Sequence, residues 1–243
     1  MYFKEFPQFL YDFKYKDRDI RTSIVTDITR NIRFRRDLLE NVSLYDQYDI
    51  VDGETPEIIA EKIYGNPEYH WIIMLANGRY DYLTDFPKTE LDCTEACKIN
   101  FNPPLNGTWA YSGTTITVTS PLHRIEVSPT TTVTITGAIS ATNAPNGTYI
   151  VTAVPDENTF KFNVQSAPTG ESSGSLLIKT LGKENYIHHY EDERGFKVNS
   201  DIPGAVPVTN LVYAKQINES KRRIKIISPD LISTILKQYK DLL

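Results

Sequence analysis

The densest group of side chains able to do chemistry is His188-His189-Tyr190-Glu191-Asp192-Glu193, a run that offers imidazoles and carboxylates for metal binding or proton transfer. Adjacent histidines on a strand point to opposite faces, and no further ligand stands at a metal-binding interval. The run is therefore expected to be a polar hairpin tip leading into ERGFKVNSD. Cys93 and Cys97, in ELDCTEACKIN, are the only cysteines, and their spacing places both thiols on one face of a helix. With no second pair and no nearby histidine this is not a zinc pattern, and both read as reduced, structural thiols. His70 and His123 are lone histidines and read as packing or surface residues. Asp and Glu number 31, and nothing in the sequence selects two of them as a glycosidase-like pair. Walker, dinucleotide, H-E-x-x-H and G-x-S-x-G patterns are missing. The chain is expected not to be an enzyme and to need neither metal nor cofactor.

What must position other kinds of site is set by composition. A chain of 243 residues with 40% hydrophobic content is globular in class and long enough for one large or two small domains. Its net charge of -5 gives no overall attraction to nucleic acid or an anionic membrane. No apolar run approaches the ~20 residues that span a bilayer, and MYFKEFPQFLYDFKYKD has none of the segments of a signal peptide. A soluble chain made in the cytosol is expected.

Three blocks follow one another. Residues 103–180 are rich in Thr, Gly, Pro and Val, and TTITVTS, TTTVTITG, NGTYIVTAV and NTFKFNV alternate at period two between turn signals. This block is expected to be an all-β, immunoglobulin-like sandwich inserted into another domain, with hairpins at Asn146-Gly147 and at Asp156–Asn158. The flanks are charged, aromatic and punctuated by helix signals. Thr55 and Asn66 are N-caps, Pro56 and Pro67 sit at the first helical position, Glu57 and Glu68 oppose the dipole, and Gly65 and Gly78 stop each helix. Ser228-Pro229-Asp230 repeats the device ahead of LISTILKQYKDLL, where Leu231, Ile232, Ile235, Leu236 and Tyr239 share a face.

Tyr48-Asp49-Ile50-Val51-Asp52-Gly53-Glu54-Thr55, with Ile59-Ala60, Ile63-Tyr64-Gly65 and Ala76-Asn77 behind it, resembles the LysM motif: a strand, a G-[DE]-T turn, an I-A helix and a second helix ending in A-N. Together with TDITRNIRF, IYGNPEYHWIIMLANGRYD and RRIKIISPDLISTIL, it resembles the LysM-like baseplate wedge subunit of contractile-tailed, T-even-like bacteriophages, over Thr26 to Tyr82 and Glu219 to Leu236. The resemblance implies an α+β fold with a split LysM-like core and flanking helices. Composition and resemblance together divide the chain into an aromatic N-terminal arm at 1–20, a wedge core at 21–102 with its LysM-like motif at 48–78, the insertion at 103–180, of which the resemblance says nothing, and the return of the core at 181–243 with a closing strand and helix. The resemblance itself carries a function. It implies a structural part of the virion's tail baseplate, assembled in the host cytoplasm. Several copies in a ring would bridge adjacent wedge subunits and meet hub or tail-tube proteins.

Ordinary LysM units close with an apolar strand soon after the A-N, and RYDYLTDFPKTE contains none. The closing strand is expected at Arg223–Pro229, paired with Tyr48–Val51, with everything between Cys97 and Ile217 as an excursion. LysM domains elsewhere bind N-acetylglucosamine polymers, so binding to cell-wall glycan is the alternative function. Against it stands the helix from Tyr69 to Ala76, apolar on nearly every side and too oily for a two-stranded unit to cover. Its cover is either the chain's own flanks or another subunit. Aromatic side chains at Phe3, Phe6, Phe9, Tyr11 and Phe13, in a segment without a clean period, are expected to anchor on a neighbouring subunit, joined by Tyr69 and Trp71. Arg222 and Arg223 are expected to steer acidic partners. The cluster Arg30, Arg33, Arg35 and Arg36 reads as a solvated face.

Overall fold

The computed structural model describes residues 6–14, 20–29, 44–128 and 131–242. The chain forms two compact units, one from residues 1–89 with 218–243, the other from residues 90–217. Its fold class is α+β, with four separate sheets among the described residues.

In the first unit, β3 (Tyr45–Asp49) leads into helix Pro56–Tyr64, a 3-10 turn Pro67–Tyr69 and helix His70–Ala76. The closing strand is β14 (Arg223–Ile227), antiparallel to β3 with Arg223 opposite Asp49 and Ile227 opposite Tyr45. The expected pairing of the two distant segments is therefore present, with β3 beginning a few residues earlier than the motif suggested. Local chemistry explains each boundary. Thr55 Oγ1 accepts from Ile58 N at 3.4 Å, Asn66 Oδ1 accepts from Glu68 N at 2.9 Å, and each is followed by proline. Gly65 ends the first helix in the left-handed region, φ +67, where its N–H reaches Glu61 O. The third copy of the device differs: Ser228 makes no side-chain cap, and a 3-10 turn Pro229–Leu231 precedes helix Ile232–Leu242.

Two apolar clusters meet at helix His70–Ala76. On one side Ile73 joins Ile50, Ile59, Ala60, Phe86, Ile224 and Ile226, so alternate residues of β14 enter this cluster. On the other, Trp71, Ile72 and Ala76 pack with Phe6, Ile227, Ile232 and Tyr239. The apolar helix is thus covered by its own flanks. Burial of each large aliphatic side chain contributes about 1.5–3 kcal/mol, which is why a segment more than a hundred residues away is recruited to complete so small a sheet.

Side-chain clamps reinforce the split. Asn77 Nδ2 donates to Ile73 O and Lys225 O, both at 2.8 Å, while Asn77 Oδ1 accepts from Lys225 N at 2.7 Å. Tyr64 OH donates to Ile227 O at 3.1 Å, and Arg79 Nη2 to Lys221 O. Lys88 and Asn218 exchange two hydrogen bonds of 2.8 and 2.9 Å. The Lys225 N–H and C=O and the Ile227 C=O of β14 are thereby satisfied without a third strand.

In the second unit, β4 (Leu105–Ser112), β5 (Thr115–Thr119), β6 (Thr132–Thr136), β7 (Gly147–Ile150), β8 (Ala153–Asp156), β9 (Thr159–Asn163) and β10 (Leu176–Leu181) form one antiparallel sheet in the order β7-β6-β10-β4-β5-β9-β8. Strand β4 is shared: Leu105–Gly107 pair with β10 and Thr108–Ser112 with β5. The sheet's two edge strands, β7 and β8, are joined by only Val151 and Thr152, so the sheet curls round until its ends meet. Val133, Ile135, Leu176 and Ile178 from one half meet Ile116, Val118, Phe160 and Phe162 from the other in one core. Two separate immunoglobulin-type sheets were expected, whereas the observed strands are hydrogen-bonded in a single series. Asn146-Gly147 is not a tight hairpin either, because Asn146 instead exchanges hydrogen bonds of 2.9 and 3.0 Å with the backbone of Ala138. At the β8–β9 hairpin, Asp156 Oδ1 accepts from Asn158 N at 2.8 Å.

Beside this sheet in sequence lie helix Glu90–Phe101, a three-stranded sheet of β12 (Lys197–Val198), β11 (Ile187–Glu191) and β13 (Val206–Thr209), and helix Asn210–Ser220. Cys93 and Cys97 are both buried on helix Glu90–Phe101. Burial, then the neighbouring Cys93 and Glu184, push the Cys97 thiol upward, away from the reactive thiolate.

Candidate partner-binding surface

The N-terminal segment, expected to lack a period, has one. Strand β1 (Gln8–Phe13) pairs antiparallel with β2 (Arg21–Thr26) along its whole length, so the arm crosses the boundary expected at residue 20. Phe9, Tyr11 and Phe13 alternate onto one face and stack edge to face, with centroids 6.2 Å apart for Phe9–Tyr11 and 4.9 Å for Tyr11–Phe13. They are 45%, 50% and 47% exposed, so about half of each ring is open to solvent. Leu10 and Ile24, opposite each other on the reverse face, are exposed too. Thr22 Oγ1 donates to Asp12 Oδ1 at 2.6 Å across the pair. A two-stranded hairpin with apolar groups on both faces is marginal in water without a covering layer.

Other expected anchors are differently placed. Phe6 and Trp71 are buried in the chain's own core against Tyr239, at centroid distances of 6.3 and 4.7 Å, and offer no ring to a neighbour. The reason is the amphipathic helix Ile232–Leu242, whose apolar face they fill. Tyr69 is half-buried between the two clusters. Phe3 lies outside the described residues, as do Arg30, Arg33, Arg35 and Arg36. Of the expected anchors among the described residues, only Phe9, Tyr11 and Phe13 are brought together as an open surface.

The two steering arginines are held within the chain. Arg223 makes a two-pronged contact with Asp49, Nε at 2.8 Å and Nη2 at 3.0 Å, across the β14–β3 pair. That hydrogen bond draws the Asp49 carboxyl below its usual range. Arg222 donates to Asp52 at 2.7 Å, Glu219 at 2.6 Å and Ile50 O at 3.0 Å. Each guanidinium thus meets a carboxylate at home, and the attraction left for a distant acidic partner is correspondingly smaller. Glu219 stands three residues before Arg222, but Asp52 and Asp49 lie 170 and 174 residues away and could not have been read from spacing.

The histidine pair also departs from expectation. A bulge between Ile187 and His189 shifts the register of β11, and the two rings approach with Nδ1–Nδ1 at 2.8 Å instead of pointing apart. His189 Nε2 lies 2.9 Å from Glu191 Oε1, and His188 stacks on Tyr213 at 4.1 Å. Burial, then His189 and Lys197, lower the His188 pKa. The turn itself comes after them, where Asp192 Oδ1 accepts from Arg194 N and Phe196 N. Among the described residues, no cluster of three His, Cys, Asp or Glu side chains could hold a metal.

Comparison with known proteins relates this chain to phage tail baseplate wedge proteins. Residues 1–102 match the family described as "Base plate wedge protein 53". Over 83 residues the chain is 35% identical to "Baseplate wedge protein gp53" of Enterobacteria phage T4, a stretch that is 33% of this chain and 41% of that protein. The chain therefore spans less than half the length of the curated relative it matches. The resemblance read from Thr26 to Tyr82 falls inside the matched residues 1–102, whereas β14 and the last helix lie beyond them.

Proposed function

We propose that this chain is a structural subunit of a phage tail baseplate, acting in the virion, and that hairpin β1–β2 joins it to an adjacent wedge protein. The family likeness over residues 1–102 supports the class, and the exposed Phe9–Tyr11–Phe13 ladder is the observation that carries the mechanism. An aromatic side chain buries about 150–250 Å², so three half-open rings present roughly 300 Å². At about 25 cal/mol per Å² this is roughly 7 kcal/mol of gross driving force, enough for a hot spot after association costs if the partner supplies an apolar counter-surface. In a ring of copies each such contact depends on its neighbours, so individually weak joints close together. The βααβ core acts as the rigid base, with Phe6 fastening the hairpin to it.

The test is the triple variant Phe9→Ser, Tyr11→Ser, Phe13→Ser, co-expressed with the wedge proteins of the same phage. Deleting residues 1–15 would also remove Phe6 and uncover Tyr239, so substitution is the cleaner perturbation. Co-purification should fall at least a hundredfold while Trp71 fluorescence and the circular dichroism stay native. Unchanged incorporation would refute the docking role. The βααβ order also carries the LysM glycan reading, and titration with chitin oligomers separates it: saturable binding would favour that alternative.

A further inference from the structure

Within residues 90–217 lies a cleft of about 460 Å³ whose lining joins apolar Phe101, Leu105, Leu122 and Ile187 to Lys183 and Arg124. Lys183 is only 5% exposed. Its Nζ donates to His123 O at 2.6 Å, and among the described residues it has no other hydrogen bond and no carboxylate partner. Arg124 is exposed and likewise has no hydrogen bond or ion pair among them. Glu184, next in sequence, is engaged elsewhere, accepting from Asn102 Nδ2 at 2.9 Å and Gly182 N at 3.1 Å.

Burying an ammonium without a counter-charge is costly, and the usual remedy is a paired carboxylate. Here the effect is visible: burial, then Arg124, pull the Lys183 pKa down to about 8. The group still carries its charge at neutral pH. The backbone is strained at the same place, since Leu122 and Arg124 both adopt left-handed φ, +49 and +50, on either side of buried His123. That geometry aims the His123 carbonyl at Lys183 and sets Arg124 on the cleft wall. Leu122 and Ile187, 63% and 51% exposed, leave an apolar rim beside the charge. Glu126 lines the cleft as well, leaving one net positive charge among Lys183, Arg124 and Glu126.

We infer that this cleft binds a monocarboxylate on a short apolar stem, the carboxylate pairing with Lys183 and Arg124 and the stem lying along Phe101, Leu105, Leu122 and Ile187. The volume suits a small ligand, and one net charge disfavours di- and trianions. The carboxylate belongs either to a free acid or to a chain end with an apolar last residue.

Equilibrium titration of the full chain with hexanoate, hexanol, and an acetylated tripeptide ending in leucine, as acid and as amide, tests this. At least one carboxylate should bind saturably, and its neutral counterpart at least tenfold more weakly. Lys183→Met should lower that affinity at least tenfold, Arg124→Gln by a smaller factor, and binding should fade as the pH rises past 8. Hexanoate alone identifies a free acid, and the peptide acid alone a chain end. Equal binding of the neutral compounds, no binding of either acid, or affinity unmoved by substitution would overturn the assignment. Should Lys183→Met fail to fold, exposed Arg124→Gln decides the matter.

Discussion

Asn77→Ala is the most direct probe of how a small core is closed by a strand from the far end of the chain. The amide makes three hydrogen bonds, two of them to the backbone of Lys225 on the outer edge of β14. Each of those two contributes about 1 kcal/mol net, and their loss leaves a part-buried N–H and C=O short of partners, at roughly 1 kcal/mol more. The expected destabilisation is about 2–3 kcal/mol, confined to the unit of residues 1–89 and 218–243. The chain has two tryptophans, one in each unit, Trp71 and Trp109. Urea unfolding followed by Trp71 fluorescence in a Trp109→Phe background therefore reads the first unit alone, and the converse variant reads the second. The Trp71 midpoint should fall with an unchanged slope, the Trp109 midpoint should hold, and the Lys225 amide should lose exchange protection. A Trp71 midpoint displaced by less than about 0.5 kcal/mol would show that apolar burial alone holds β14, and the clamp argument would fail.

Two titrations follow, one in each unit. Burial raises the Glu54 carboxyl, but hydrogen bonds from Val51 N, Tyr48 OH and Lys62 outweigh it, so its pKa is lowered from 4.5. Its contribution is whole above that value and lost as the pH falls through the lower folded value; Glu54→Gln should flatten the acid limb of Trp71-monitored stability. For Lys183 the folded pKa, about 8, lies below the ordinary 10.5. Between these values the unfolded chain binds more protons than the folded one, so stability of the second unit should rise with pH. Lys183→Met should remove that slope and raise the Trp109 midpoint at pH 7, and an unchanged alkaline limb would count against a strained ammonium.

Legibility tracked how local the cause was. Thr55-Pro56 and Asn66-Pro67 announce their helices because cap and proline act within one turn, and the alternation Ile224-Lys225-Ile226 marks a strand that buries one face. The β1–β2 hairpin hid for the opposite reason. Neither of its faces is buried, so Leu10 and Ile24 sit opposite the aromatic side and erase the contrast on which period-two reading depends. Strands β4 and β10 were not singled out, although Leu105–Gly107 and Leu176–Ile178 hold the two halves of the sheet together. The His188–His189 approach rests on a bulge, which residue types do not encode at that position.

Lys183 is the instructive extreme. In LGKEN it has the look of a solvated turn, and only the convergence of Arg124, His123 and Asn102 from distant stretches encloses it. Arg222 and Arg223 show the converse, since a basic run that looks available for a partner is already answered by Asp49, Asp52 and Glu219. Charge is informative about binding only once its counter-charge is located. By that criterion the arginines of β14 and its approach belong to the closure of the core, the aromatic ladder to the proposed assembly contact, and Lys183, buried without a carboxylate among the described residues, to the inferred ligand.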